Sequence, residues 1–239
     1  MNEPHILCLE TATNVCSVAL GKGNAVVAIR ETDEDRSHGT LLTQFMEEIL
    51  SEAGINASEL DAVALSIGPG SYTGLRIGAS VAKGFAYASN IPVIGIDTLQ
   101  VMASSALVTP EVKSFLENEG TDALLCPLID ARRMEVYSAI YNLQLEKVRD
   151  VEAEIIDETS FSGYLKKGKV LFFGNGSDKM IPVIQHANAV YINNIYPSSQ
   201  QMIRLAGEKF RNAEFLDTAY FEPFYLKDFI ATIPRKKVF

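Results

Sequence analysis

The chain predicts an α/β fold built from two copies of one β-β-β-α-β-α unit, set as two subdomains with mixed sheets. Three observations carry this. Residues 5–31, HILCLETATNVCSVALGKGNAVVAIRE, alternate apolar stretches with turn-forming residues, as an antiparallel meander does. Farther on, short apolar runs alternate with helical periodicity, the order of a parallel crossover. Then LLCPLIDARRMEVYSAIY, residues 124–141, repeats the first hairpin without gaps: Leu9-Glu10 aligns with Ile129-Asp130, and Ala19-Leu20 with Ala139-Ile140.

In the first half, residues 6–10, 16–20 and 25–30 predict the three meandering strands, with Thr13-Asn14 and Gly21-Lys22-Gly23-Asn24 as the turns. From His38 onward Leu42, Phe45, Met46 and Ile49 recur on one helical stripe, and Gly54 is a natural stop. Residues 62–67 predict a short buried strand, 71–88 a helix and 92–96 another buried strand, with a further helix after it. Thr109-Pro110 and residues 117–120 predict a surface connection. In the second half a third strand is expected at 145–156, a helix near 158–166, a strand at 169–173 and a helix near 198–212. The division expected is residues 1–105, carrying the glycine-rich helix and a partner interface, and residues 106–239, a degenerate second copy with the C-terminal helix and tail.

Composition narrows the function classes. The 239 residues are 47% hydrophobic, ample for a core. Apolar runs are broken every few residues, short of the roughly 18 needed to span a bilayer, and MNEPHILCLE lacks the basic start of a signal peptide. A cytoplasmic protein without membrane contact is expected. The net charge of −9 opposes independent binding to a polyanion; the one basic cluster is Arg235, Lys236 and Lys237. Cys8, Cys16 and Cys126 form no CxxC pair, so buried thiols are expected. The only histidines, His5, His38 and His186, make no HExxH.

Residues 66–88, SIGPGSYTGLRIGASVAKGFAYA, pose a choice between phosphate binding and close packing. No lysine follows Gly74, so this is not a P-loop, and Gly68, Gly70 and Gly74 miss the GxGxxG spacing by one residue. No GxSxG nucleophile elbow surrounds Ser66 or Ser71. Gly70, Gly74, Gly78, Ala82 and Ala86 instead recur every four residues. Helical glycine costs about 1 kcal/mol relative to alanine, and a close neighbour is the usual compensation. That neighbour is expected to be another helix of this chain or a helix of a partner chain.

The duplicated unit resembles the actin, hexokinase and Hsp70 superfamily, a ribonuclease H-like fold in which nucleotide sits between related halves. The resemblance implies that each hairpin turn offers N–H groups and hydroxyls to phosphate, with a carboxylate for a metal. Glu10, Thr11 and Thr13 suit that chemically. Asp130-Ala131-Arg132-Arg133-Met134 suits it less, having long side chains and no glycine, although an arginine pair can hold phosphate by charge. The Phe173-Gly174-Asn175-Gly176-Ser177 stretch is either an adenosine loop or a plain turn.

More specifically, ILCLETATNVCSVAL, GPGSYTGLRIGASVAKGFA followed by IPVIGIDTL, IDARRMEVYSA and EPFYLKD together resemble the TsaB (YeaZ) family of tRNA threonylcarbamoyladenosine biosynthesis. That family often has Asp at the place of Glu10, and residues 143–199 match only in general pattern. The resemblance implies a non-catalytic scaffold that pairs with TsaD, the subunit that transfers threonylcarbamoyl to the adenosine adjacent to the anticodon, and that works with TsaE. It further implies contact through Leu42, Phe45, Met46, Ile49, Gly74, Leu75, Gly78 and Ala82, a homodimer through the same helical face, and tRNA reached only through the complex. Glu10, Thr11, Thr13 and Asp130 would be a degenerate nucleotide site, with no metal or cofactor of the chain's own and ATP and metal at the partner subunits. Where the TsaD paralogue carries two metal-binding histidines, this chain has Thr98 and Met102, neither an ordinary ligand for iron or zinc. The alternative is a small actin-like ATPase or kinase using the Glu10 and Asp130 hairpins.

Overall fold

Two five-stranded sheets repeat one topology. The computed structural model describes residues 3–33, 38–120 and 122–226. The meander β1 (His5–Glu10), β2 (Cys16–Lys22) and β3 (Ala25–Thr32) is followed by α1 (His38–Ala53), β4 (Ala62–Gly68), α2 (Tyr72–Ser89) and β5 (Val93–Asp97). Strands β4 and β5 add in parallel on the free side of β1, giving the order β3-β2-β1-β4-β5. After α3 (Thr98–Val108) and α4 (Pro110–Glu119) come β6 (Leu124–Asp130), β7 (Glu135–Tyr141) and β8 (Lys147–Ile155). Next are α5 (Ser162–Leu165), β9 (Val170–Phe173), β10 (Ala189–Ile192) and α6 (Ser199–Arg211), and the second sheet reads β8-β7-β6-β9-β10. Three antiparallel strands and two parallel ones, in the same order twice, are the duplicated α/β units read from the sequence.

Strand β1 is buried on both faces, and its alternation sorts side chains into two cores. Leu7 and Leu9 join Leu42, Met46, Ile49, Ala79, Ala82 and Ala86 under α1 and α2. Ile6 and Cys8 face the opposite core, with Leu99, Met102, Met202 and Ile203. There α3 packs on the second sheet and α6 on the first. The position 105/106 falls inside α3, and the inner face of the first sheet is covered by a helix from the far end of the chain.

Four local expectations change. The surface connection is largely α4, started by Thr109, whose Oγ1 accepts the Val112 N–H at 3.4 Å, and by Pro110 in the first turn. Proline there loses no hydrogen bond. The helix near 158–166 shrinks to the four residues of α5. The Asp157 carboxylate accepts the N–H groups of Thr159 and Ser160 and holds the chain in a turn where a helix would start. Strand β10 carries no strong sequence signal, its four residues being only half-buried. Finally, Leu9 pairs with Val18 but Ile129 pairs with Tyr137, so the second hairpin turn is one residue shorter than the ungapped alignment implies.

Past α6 the chain returns along β5. The Leu216 N–H donates to the Val93 carbonyl at 2.8 Å and the Phe224 N–H to the Ile67 carbonyl at 2.6 Å. This segment covers the exposed edge of the first sheet, where unpaired backbone would otherwise invite pairing with another chain. The basic cluster Arg235, Lys236 and Lys237 lies outside the described residues. Among the described residues no helix is long and apolar enough to cross a membrane.

Candidate functional site

Strand β1 carries Glu10 to the rim of the first sheet and buries it completely. One carboxylate oxygen accepts the Ala12 N–H at 2.6 Å and the other accepts the Ser66 hydroxyl from the end of β4. Burial pushes its pKa up to about 7, against the lowering pull of Ser66 and of the Ala12 and Thr11 N–H groups; the charge of Glu31 adds to the rise. The hydroxyls of the turn are also committed. Thr11 donates to the Gly74 carbonyl at 2.8 Å, and Thr13 accepts the Val15 N–H at 3.3 Å.

The glycine-rich helix explains this closure. Ser71 caps α2 by accepting the Gly74 N–H at 3.2 Å, while its own N–H donates to the Ala12 carbonyl at 2.7 Å. A Cβ at Gly70 would strike the Ala12 carbonyl, one at Gly74 the Thr11 carbonyl, and one at Gly78 the Thr11 hydroxyl. The neighbour of the small-residue face is thus the first hairpin turn of the same chain. Leu75 and Ala82 continue that face into the core.

The helix residues expected at an interface are corrected accordingly. Leu42, Met46 and Ile49 lie beneath α1, and Gly74, Leu75, Gly78 and Ala82 beneath α2, all buried within the chain. They present no surface. Of the eight, only Phe45 is partly exposed. The outward side of α2 is formed by Thr73, Arg76, Ser80, Gly84 and Tyr87, flanked by half-buried Ile77 and Val81.

The second turn is built differently. The Asp130 carboxylate takes the Lys179 ammonium at 2.5 Å and the Arg132 N–H at 2.6 Å. Arg132 and Arg133 hold φ angles of 73° and 53°, which leaves both side chains exposed on a tight turn. The Asp130 N–H donates to Asn175 at 2.9 Å, and a Cβ at Gly174 or Gly176 would meet the backbone or side chain of Leu128. The two glycines after β9 thus serve close packing on β6. A cavity of 610 Å³ lies between the halves, lined by Asp97, Gln100, Lys147, Asp150, Glu208 and Lys209 among others and by neither hairpin turn. Lys147 pairs with Asp97 at 3.2 Å, while burial pushes the Asp97 carboxyl upward. Thr98 and Met102 are buried at the start of α3. The three cysteines are free and buried, as expected.

Sequence reasoning missed Ser66 as the partner of Glu10. It also missed the clamp of the C-terminal segment on α2, where Arg76 lies 4.1 Å from the Tyr72 ring and donates to the Tyr225 hydroxyl at 3.3 Å. The aromatic run before residue 226 was the available signal.

Known proteins share this fold. The YeaZ structure from Pseudomonas aeruginosa superposes with a TM-score of 0.76 at 25% identity, covering 93% of this chain and 100% of that one. The tRNA threonylcarbamoyladenosine biosynthesis protein TsaB of Escherichia coli K12 is 29% identical over 95% of this chain and 96% of its own length. Its Haemophilus influenzae counterpart is 35% identical over 60% and 56%. A family model described as "TsaD: tRNA N6-adenosine threonylcarbamoyltransferase" matches residues 31–235.

The chain belongs to the TsaB (YeaZ) family.

Its role therefore lies in tRNA threonylcarbamoyladenosine biosynthesis. The TsaB-family identity rests on the whole chain, whereas the site is decided by the contacts of α2 with the first turn.

Two measurements test these contacts. Gly74→Ala is expected to lower unfolding stability by about 1–3 kcal/mol through overpacking. Gly84→Ala, with nothing within 4 Å of the new Cβ, should raise stability by roughly 0.5–1 kcal/mol. Equal urea midpoints for the two variants would contradict the packing described.

Glu10 sets a pH dependence. Its folded-state pKa, about 7, lies above its ordinary 4.5, so the folded chain holds the proton more tightly. Its contribution to stability then falls as pH rises between those values and is flat above them, by about 3 kcal/mol in total. Glu10→Gln should remove that decline in urea unfolding measured from pH 5 to pH 8; an unchanged profile would show that Glu10 does not titrate there.

Proposed function

We propose that this chain is the scaffold subunit with which TsaD, assisted by TsaE, transfers threonylcarbamoyl to the adenosine adjacent to the anticodon of tRNA. The chain supplies no catalytic residue, and ATP and metal belong to the partner subunits. The observation that carries this reading is the occupied first turn: both Glu10 oxygens and the Thr11 hydroxyl are already spent inside the chain, with α2 pressed on the turn backbone. A phosphate-binding turn needs those groups free. The same fact weighs against the ATPase or kinase alternative through Glu10 and Asp130.

The contact to TsaD is assigned to Phe45 on α1 and to the one strip of α2 formed by Ile77, Ser80, Val81 and Gly84, beside and apart from the strip that carries Arg76 and Tyr87. The buried stripe acts from beneath, fixing how the helices lie. A second copy of the chain can use the same face as a homodimer, and tRNA is reached through the assembled complex.

Co-purification with TsaD from the same genome, followed by a threonylcarbamoylation assay, tests the proposal. A stoichiometric complex is expected, with modification lost when this chain is omitted. Gly84→Arg places a long charged side chain in open space, so it should leave the monomer folded and weaken TsaD binding at least about tenfold. Undiminished binding would move the contact off this helix face, and full modification without the chain would end the scaffold reading.

A further inference from the structure

Beside the helix face assigned to TsaD runs a second surface that the scaffold role does not use. Tyr72, Arg76, Lys83 and Tyr87 recur at intervals of four, seven and four residues on α2. At 100° per residue they fall within about 60° of one another, along about 22 Å of helix. The C-terminal segment lies antiparallel against this stripe and thickens it with further rings. Tyr225 packs against Tyr72 with centroids 5.1 Å apart and planes inclined at 45°, and Arg76 sits by both rings. Lys83 lies 4.5 Å from the Phe221 ring and donates to the Ala219 carbonyl at 3.2 Å.

Two rings on this surface stand in solvent. Tyr87 is 87% exposed and Tyr220 is 84% exposed. The Asp217 carboxylate accepts the N–H groups of Ala219 and Tyr220 at 2.9 and 3.2 Å, a turn that presents the Tyr220 ring outward. Rings that stay exposed on a rigid support, alternating with cations, are the composition of a base-stacking platform. The charge of the C-terminal residues suits the same occupant. Residues 227–239 carry Lys227, Arg235, Lys236 and Lys237 against Asp228 alone, in a chain whose net charge is −9. Glu222 also bears on Arg76, so local charge is mixed, and the exposed rings supply most of the attraction.

We propose that Tyr87 and Tyr220, with Arg76 and Lys83 between the helix and the C-terminal segment, form a stacking surface for unpaired bases of RNA. The proposal rests on the tRNA role given above and identifies where this subunit touches the nucleic acid in the complex.

The test uses the purified complex of this chain with TsaD and a fluorescently labelled tRNA anticodon stem–loop, titrated at several salt concentrations, with a fully paired RNA duplex as control. Tyr87→Ala and Tyr220→Ala are each expected to weaken stem–loop binding about tenfold, with little change for the duplex and TsaD capture retained. A double variant that binds the stem–loop as tightly as wild type overturns the proposal. So does loss of TsaD capture in the same variants, which would make the rings a protein contact. If the unaltered complex fails to form at all, the scaffold reading falls instead, and the two failures are told apart by the capture step.

Discussion

The contact on which the rest of this structure depends is the seating of α2 on the first hairpin turn. Three glycines four residues apart, Gly70 just before α2 and Gly74 and Gly78 within it, let the backbone reach the carbonyls and hydroxyl of Ala12 and Thr11. Interiors pack as densely as organic crystals, so a single added Cβ at such a point has nowhere to go. The seating holds α2 against the turn and consumes the Thr11 hydroxyl, which a phosphate-binding turn would keep free. The first hairpin turn is here part of the core.

That closure shifts the chemical interest of the molecule outward. The buried carboxyl at the centre has both oxygens engaged and a raised pKa, which suits a structural group and not a metal ligand. What remains available are surfaces: the outer sides of α1 and α2, the basic second turn, and the ring-lined margin where the C-terminal segment meets α2. The scaffold role proposed above needs rigid surfaces more than reactive groups. The exchange of α3 and α6 between the two sheets supplies that rigidity, because neither sheet completes its core without a helix from the other half of the chain.

The C-terminal segment ties these features together. It covers the edge of β5, presses the Phe224 carbonyl toward Gly68 at the end of β4, and grips α2 through Arg76 and Lys83. The edge strand, the glycine-rich loop and the outer helix face are therefore one mechanical unit.

Much of this was readable from the amino acids alone. Alternation and turn residues marked the meander, helical spacing marked α1 and α2, and the repeated hairpin with its terminal carboxylate marked the duplication; these are local signals, each set by a few neighbouring residues. The four-residue run of glycine and alanine announced a close neighbour but not its identity, because that neighbour, Thr11, lies 63 positions upstream of Gly74. The Leu42, Phe45, Met46 and Ile49 stripe was equally two-sided: apolar spacing shows that a face is covered and is silent about whether the cover is the chain's own sheet or another subunit. Only tertiary structure decided that, by placing β2 and β3 beneath α1 and chiefly β4 beneath α2. It also decided the fate of Glu10, whose partner Ser66 stands 56 positions away, since burial and long-range hydrogen bonding depend on which strands lie side by side and leave no periodic trace in sequence.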